Sequence, residues 1–460
     1  MAKDIEKTLT SKLIFVLLCV CIVFTTLAYG TVHQPTIALF YLMAAAMIVL
    51  WAFDSFLTGI LRFNKSLLQL SLIGTFVYAL IQIIPFGSLA ETGGLSGIGR
   101  TISLEPFWTQ MFAFHFLALF FIFATSLTFL DSANRVRKMT TLITVFGFAF
   151  AFFAILQWVL SPTKIYGIYE VQFAQPFGSF VNRHNFAAYM EMAIAVPLGL
   201  IFSGAVQRDK RLIYVTAIGL MGIALILSGS RGGLVSLLAE IVFILILTAK
   251  TRGSSQIALK IGLAVLLIGV IVGGSMLIGG ESSLTRIAET SASNDISTNR
   301  THIWNVTLQV IKNNLPFGAG IGAFAAAYTP YDTMNGIERV EQAHNDYLQI
   351  LADAGIVGLL LAGFFVYGLF RTGLKNIKTD NILRRGVAIG ALAGCFAILV
   401  HSLFDFVLHT TAVTVLFLIL ASLVVVSGRI FSDDEQLFER RRSKKASVTS
   451  IKEKRGKVEK

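Results

Sequence analysis

Runs of about twenty apolar residues recur along this chain, and they limit its fold more than any other feature. A helix rises 1.5 Å per residue, so about 20 predominantly apolar residues are needed to cross a bilayer core. Twelve such runs can be read, near residues 13–30, 36–53, 66–86, 108–130, 140–160, 184–204, 212–229, 234–250, 261–280, 355–370, 386–406 and 410–428. Composition agrees. Hydrophobic residues make up 55% of the 460 and charged residues 14%, against roughly 25% charged in soluble domains. Mean hydropathy is +0.74. A soluble enzyme and a disordered chain are excluded. The expected fold is all-α, a polytopic integral membrane protein of about 12 transmembrane helices.

The balance of 38 Lys+Arg against 26 Asp+Glu gives a net charge of +12, and the placement of the cations decides what it means. Thirty of them fall in the N-terminus, in alternate connections and in the tail. Eight fall in the other connections: Arg100, Lys164, Arg183, Arg231, Arg286, Arg300, Lys312 and Arg339. The bias alternates at every loop, so the positive-inside rule puts both termini in the cytoplasm. Residues 1–12 are then a cytoplasmic N-terminus and 13–280 carry helices one to nine. Residues 281–354 form a large external loop, 355–428 carry helices ten to twelve, and 429–460 are a basic cytoplasmic tail near anionic lipid. The tail has no interleaved aromatics and no fold to present it, so no nucleic-acid partner is expected. The run from Leu13 to Gly30 follows lysines as a signal peptide would, but it lacks a small-residue cleavage site and reads as an uncleaved first span. Cys19, Cys21 and Cys395 have no metal or disulfide spacing and read as small apolar residues.

The 281–354 loop is polar throughout, and a long polar loop in a compact membrane protein is usually functional. Residues 298–315 have helical spacing, with Trp304, Leu308, Ile311 and Leu315 as an apolar stripe. Arg300 precedes Trp304 by one turn; it either snorkels at the membrane surface or points into a site. A second helix is expected from about Arg339, carrying Glu341, His344, Asn345 and Leu348. Glu341, three residues before His344, would share its face and hold the imidazole as a general base. The Gly318–Gly322 run is not a dinucleotide fingerprint, because no strand precedes it. The external loops contain no D-x-D metal motif, so neither a metal nor a cofactor is expected.

His344-Asn345, nine residues, Gly355, two residues and Gly358 form an H-N-x9-G-x-x-G pattern that resembles the O-antigen ligase and Wzy-type polymerase family. Asn182-Arg183-His184-Asn185-Phe186-Ala187, Ser228-Gly229-Ser230-Arg231-Gly232-Gly233 and Arg300-x-x-x-Trp304 fit it as well. So does the layout of a large loop between spans nine and ten. The resemblance covers roughly residues 70–425 and is poorly specific for substrate. It implies a metal-independent, inverting glycosyltransferase on the periplasmic face of the bacterial inner membrane. The implied donor is a glycan on undecaprenyl diphosphate. The implied acceptor is lipid A core, a growing polysaccharide, or a pilin in protein O-glycosylating relatives. Arg231 and Arg300 would hold the diphosphate and His344 would activate the acceptor hydroxyl. Arg183, Asn185, Arg339, Asn345, Glu341 and Trp304 would be substrate-binding.

The residue types support that chemistry independently. A departing diphosphate needs charge stabilisation, and arginine forks supply it bidentately without losing their charge. Arg231 stands in a glycine-rich turn that permits close backbone approach; otherwise it merely flanks a span. His115, Glu191, Glu240, His401 and Asp405 all fall near the outer end of their spans, at a depth that suggests either one polar cavity or pairing between helices, such as Glu240 with Arg231. A secondary transporter shares the twelve-span frame, but the halves show no evident symmetry.

Overall fold

The computed structural model describes residues 8–87, 99–172, 174–249, 300–333 and 339–429, with isolated positions between 261 and 269. The helices are α1 (Leu9–Leu27), α2 (Gln34–Thr58), α3 (Gln69–Gln82), α4 (Pro106–Phe129), α5 (Ala133–Leu160), α6 (Arg183–Ser203), α7 (Arg211–Leu227) and α8 (Arg231–Ala249). After the ninth expected run come α9 (Arg300–Asn314), α10 (Phe324–Tyr328), α11 (Asp346–Asn376), α12 (Ile382–His401) and α13 (Thr411–Val426). A short antiparallel pair, β1 (Lys164–Ile165) with β2 (Tyr169–Glu170), lies between α5 and α6.

The protein is an all-α polytopic membrane protein. Among the described residues, nine helices are long and apolar enough to cross a membrane, while α3 and α13 are shorter apolar helices. Together they coincide with eleven of the expected runs. Most of run 261–280, loop residues 281–299 and tail residues 430–460 lie outside the described residues. Most boundaries shift by a few residues, and the two largest shifts are at helix starts. The tenth helix starts at Asp346 rather than 355, because the Asn345 side chain caps it by accepting from Tyr347 N and Leu348 N, both at 3.0 Å. The fifth starts at Ala133 rather than 140, because Ser132 caps it. This places Arg135 inside the bundle, where it donates to Phe129 O, Ser11 O and Asp131. One of the expected anchoring cations thus stitches three segments together.

Helix α6 is the centre of the bundle, with every residue from Asn185 to Leu200 buried. Lipid tails are as apolar as leucine, so membrane helices associate through close packing rather than burial. Helix α12 supplies the means, with Gly386, Gly390 and Gly394 spaced four apart on one face. A Cβ on Gly390 would lie 2.6 Å from Ala195 O, and one on Gly199 would collide with the Gly390 backbone. The two helices therefore touch backbone to backbone and run antiparallel, which brings the start of α6 beside the end of α12.

The loop before α11 folds on its own small core of Val306, Val310, Ile311, Phe324, Tyr328, Ala343 and Ala352. The apolar stripe expected on α9 is corrected by this packing. Leu308 and Leu315 are exposed, and the buried face is Val306, Thr307, Val310 and Ile311. Of the expected stripe, Ile311 is on the buried face and Trp304 is half-buried, because α9 packs on the loop's own core. Gly355 joins loop to bundle. It breaks the α11 helix at φ 58°, ψ −148°, and a Cβ there would strike Pro316 O. Across that break Ile356 N donates to Pro316 O at 2.9 Å, and Ala319 N to Ala352 O at 2.8 Å. The glycine of the H-N-x9-G-x-x-G pattern is thus a backbone latch, a conformation glycine alone adopts freely.

Candidate functional site

Five helix ends converge at one end of the bundle: the starts of α6, α8, α9 and α11 and the end of α12. Asp405, just past α12, is the common partner. Its Oδ1 accepts from His344 Nδ1 at 3.1 Å and from Phe406 N at 3.0 Å. Its Oδ2 accepts from Arg300 Nη2 at 3.2 Å and lies 3.7 Å from His184 Nδ1. Arg300 Nη1 also donates to Phe404 O. The carboxylate is 3% exposed. Burial alone would raise its pKa, but the charge of His184, the hydrogen bond from His344 and the charge of Arg300 outweigh burial and hold it well below the ordinary carboxylate range.

His344 is held from several sides. Its backbone is left-handed at φ 50°, which is uncommon for a residue with a side chain and tends to occur at functional sites. Asn345 Nδ2 donates to Leu403 O at 3.0 Å, and Asp346 N donates to Ser402 O at 3.0 Å, tying the start of α11 to the end of α12. Trp304 Nε1 donates to Ala343 O at 3.0 Å, and Gln349 Oε1 accepts from Ala343 N at 2.7 Å. The His344 ring packs edge-on to Phe406 with centroids 4.9 Å apart. Its side chain is 31% exposed. With Nδ1 donating to a carboxylate, Nε2 is left as the basic nitrogen.

Two expectations about the segment before α11 are corrected. Residues 339–345 are not helical, so Glu341 does not share a helical face with His344, and the carboxylate beside the imidazole is Asp405. The cause is the Asn345 cap, which starts the helix after His344. Arg339 and Glu341 line a separate cavity, and Arg339 pairs with Glu105 at 3.8 Å. Asn345 and Trp304 hold the backbone around His344 through the contacts above.

Arg231 opens α8. Its neighbours bracket the cluster: Ser230 Oγ lies 2.9 Å from His184 Nδ1, and a Cβ on Gly232 would meet His401 Cδ2 at 3.0 Å and Phe404 Cβ at 3.3 Å. Arg183 is the first residue of α6, half-buried, and Asn185 is buried in the same turn. Deeper in, His401 Nδ1 lies 3.1 Å from Glu191 Oε2, with both side chains fully buried. The expected pairing of Glu240 with Arg231 is not formed; both Glu240 oxygens are buried without a hydrogen-bond partner among the described residues. The single polar cavity is also corrected. His115 contacts Tyr41 and lines the separate cavity, not the Glu191–His401 pair.

Asp405 and His184 are the site members that sequence reasoning undervalued. His184 stands between Arg183 and Asn185 in the Asn182–Ala187 motif, and nothing in the local sequence around Asp405 marks it beyond its place at a helix end. Among the described residues no group of His, Cys, Asp and Glu has metal-site geometry.

Residues 216–363 match the family model described as O-antigen ligase. The matched segment contains Arg231, Arg300 and His344 and ends before Asp405. No curated protein matches the chain. The match over residues 216–363, together with the apolar helices of the bundle, supports a membrane enzyme of the O-antigen ligase or polymerase type.

Proposed function

We propose that the protein transfers a glycan from undecaprenyl diphosphate to a hydroxyl of lipid A core or a growing polysaccharide. The reaction would take place on the periplasmic face of the bacterial inner membrane, with both termini cytoplasmic as the cation bias indicates. The observation that carries this reading is the His344–Asp405–Arg300 arrangement, in which one buried carboxylate orients an imidazole and an arginine side by side.

In the proposed step the acceptor O–H gives its proton to His344 Nε2 as its oxygen bonds to the anomeric carbon. The bond from that carbon to the diphosphate oxygen breaks, and its electron pair leaves on undecaprenyl diphosphate. Asp405 fixes the tautomer and stabilises the imidazolium that forms. Arg300 and Arg231 neutralise the charge developing on the leaving group without a metal, as guanidinium forks suit diphosphate oxygens. Arg183, at the same helix ends, is a further candidate for diphosphate contact. A single displacement of this kind inverts the anomeric centre. Purified protein with a lipid-diphosphate glycan and an acceptor tests the reading: inverted product is expected, and a retained configuration would overturn the single displacement. Loss of all surface glycan from the lipid A core in a deletion strain would mark a ligase; retention of one repeat unit would mark a polymerase.

A further inference from the structure

A cavity of about 400 Å³ is lined in part by His409, whose ring neighbours Phe406, the same ring that packs on His344. Segments from α2, α4, residues 339–342 and the α12–α13 connection build it. Its His409 wall is close to the cluster: the His409 and Phe406 rings are 6.4 Å apart, and Phe406 in turn packs on His344.

The lining differs in kind from the arginine-bearing cluster. Tyr41, Trp108 and Phe112 supply aromatic faces, while Glu341, Gln342 and His409 supply hydrogen-bonding groups. The cation at the rim, Arg339, is paired with Glu105. Such walls repel a diphosphate and suit a neutral polyol, whose C–H faces stack on aromatic rings and whose hydroxyls need donors and acceptors. Two lining atoms, Gln342 Oε1 and His409 Nδ1, are buried without a hydrogen-bond partner among the described residues. Buried polar atoms are almost always satisfied, so these two call for a partner from outside the described residues. Burial also lowers the His409 pKa to about 4, which keeps the ring neutral.

We propose that this cavity binds a sugar unit of the acceptor glycan, placing the acceptor hydroxyl toward His344 while the diphosphate stays with the arginines. This rests on the glycosyl-transfer reading for its place in the reaction, but not for the binding itself. The charge difference across Phe406 then separates donor from acceptor.

The test uses full-length protein in nanodiscs and, as probe, the deacylated core oligosaccharide from the producing strain. Binding is followed by tryptophan fluorescence, with Trp108→Phe reporting the cavity's own signal. Saturable binding is expected, weakened about tenfold by Gln342→Ala or Glu341→Gln. In transfer assays the same variants should raise the acceptor KM by a similar factor and leave the donor KM within about twofold, which a general folding defect would not do. His344→Ala should bind the probe as the wild type does. Absent binding, or an acceptor KM that the variants leave unchanged, would overturn the cavity assignment and leave the transferase reading standing. Variant-sensitive binding without any transfer by the wild type would support the cavity and overturn the transferase reading.

Discussion

His344 and Asp405 lie 61 residues apart, on opposite sides of two helices, yet their side chains meet at 3.1 Å. The contact exists because α12 packs on α6 through glycines and so delivers Asp405 to the end of the bundle where α11 begins. If this pair orients a base, Asp405→Asn keeps the shape but removes the charge and favours the wrong tautomer. Transfer should fall by about a hundredfold or more. Circular dichroism on the same sample should be unchanged; an active Asp405→Asn enzyme would sink the pairing.

The depressed pKa of Asp405 also sets a pH dependence. A lowered folded-state pKa contributes stability that is complete above the unfolded value, about 3.9, and is lost as pH falls through the folded value. Hence the difference in melting temperature between wild type and Asp405→Asn should be flat above about pH 5 and shrink in stronger acid. A difference that grows as pH falls would contradict the assignment.

Arg300 donates to Asp405 and Phe404 O through two different nitrogens, a geometry that requires a planar fork. Arg300→Lys is therefore expected to recover little of the loss seen in Arg300→Ala. Arg231→Ala should weaken donor use by about tenfold to a hundredfold, seen in kcat/KM for the donor. If arginines neutralise the leaving group, a chelator such as EDTA should leave the rate unchanged. Rescue of the rate by added magnesium would count against the clamp.

Gly355 closes the latch between loop and bundle. Alanine there must adopt φ 58° with its Cβ against Pro316 O, a strain of about 1–3 kcal/mol. Gly355→Ala should lower the melting temperature and, by loosening α11, lower transfer as well. Gly363, which has open space around it, is the control, and Gly363→Ala should be near neutral. Equal effects at the two sites would contradict the latch.

Much of the fold could be read from hydropathy alone, because a bilayer imposes one length on every span; eleven expected runs coincide with helices. The Gly386-x-x-x-Gly390-x-x-x-Gly394 spacing is a close-packing signal that the hydropathy reading passed over, and it does not say which helix meets it. The motifs singled out Arg231, Arg300 and His344, and the structure brings the helix starts that carry the first two and the segment just before α11 that carries the third to one end of the bundle. What failed was long-range or depended on phase. Glu341 was assigned to His344 by helical spacing in a segment that Asn345 stops from being helical. The stripe through Leu308 was only partly in phase: Ile311 is buried in the loop's own core, while Leu308 and Leu315 are exposed. Asp405 is reached only through helix packing, which periodicity does not encode.

The most direct test of the central claim is glycan transfer by purified His344→Ala protein, set beside donor binding by the same sample. The account predicts transfer reduced by about a hundredfold or more, with the lipid-diphosphate donor still bound because Arg231 and Arg300 are intact. Transfer at the wild-type rate would contradict it.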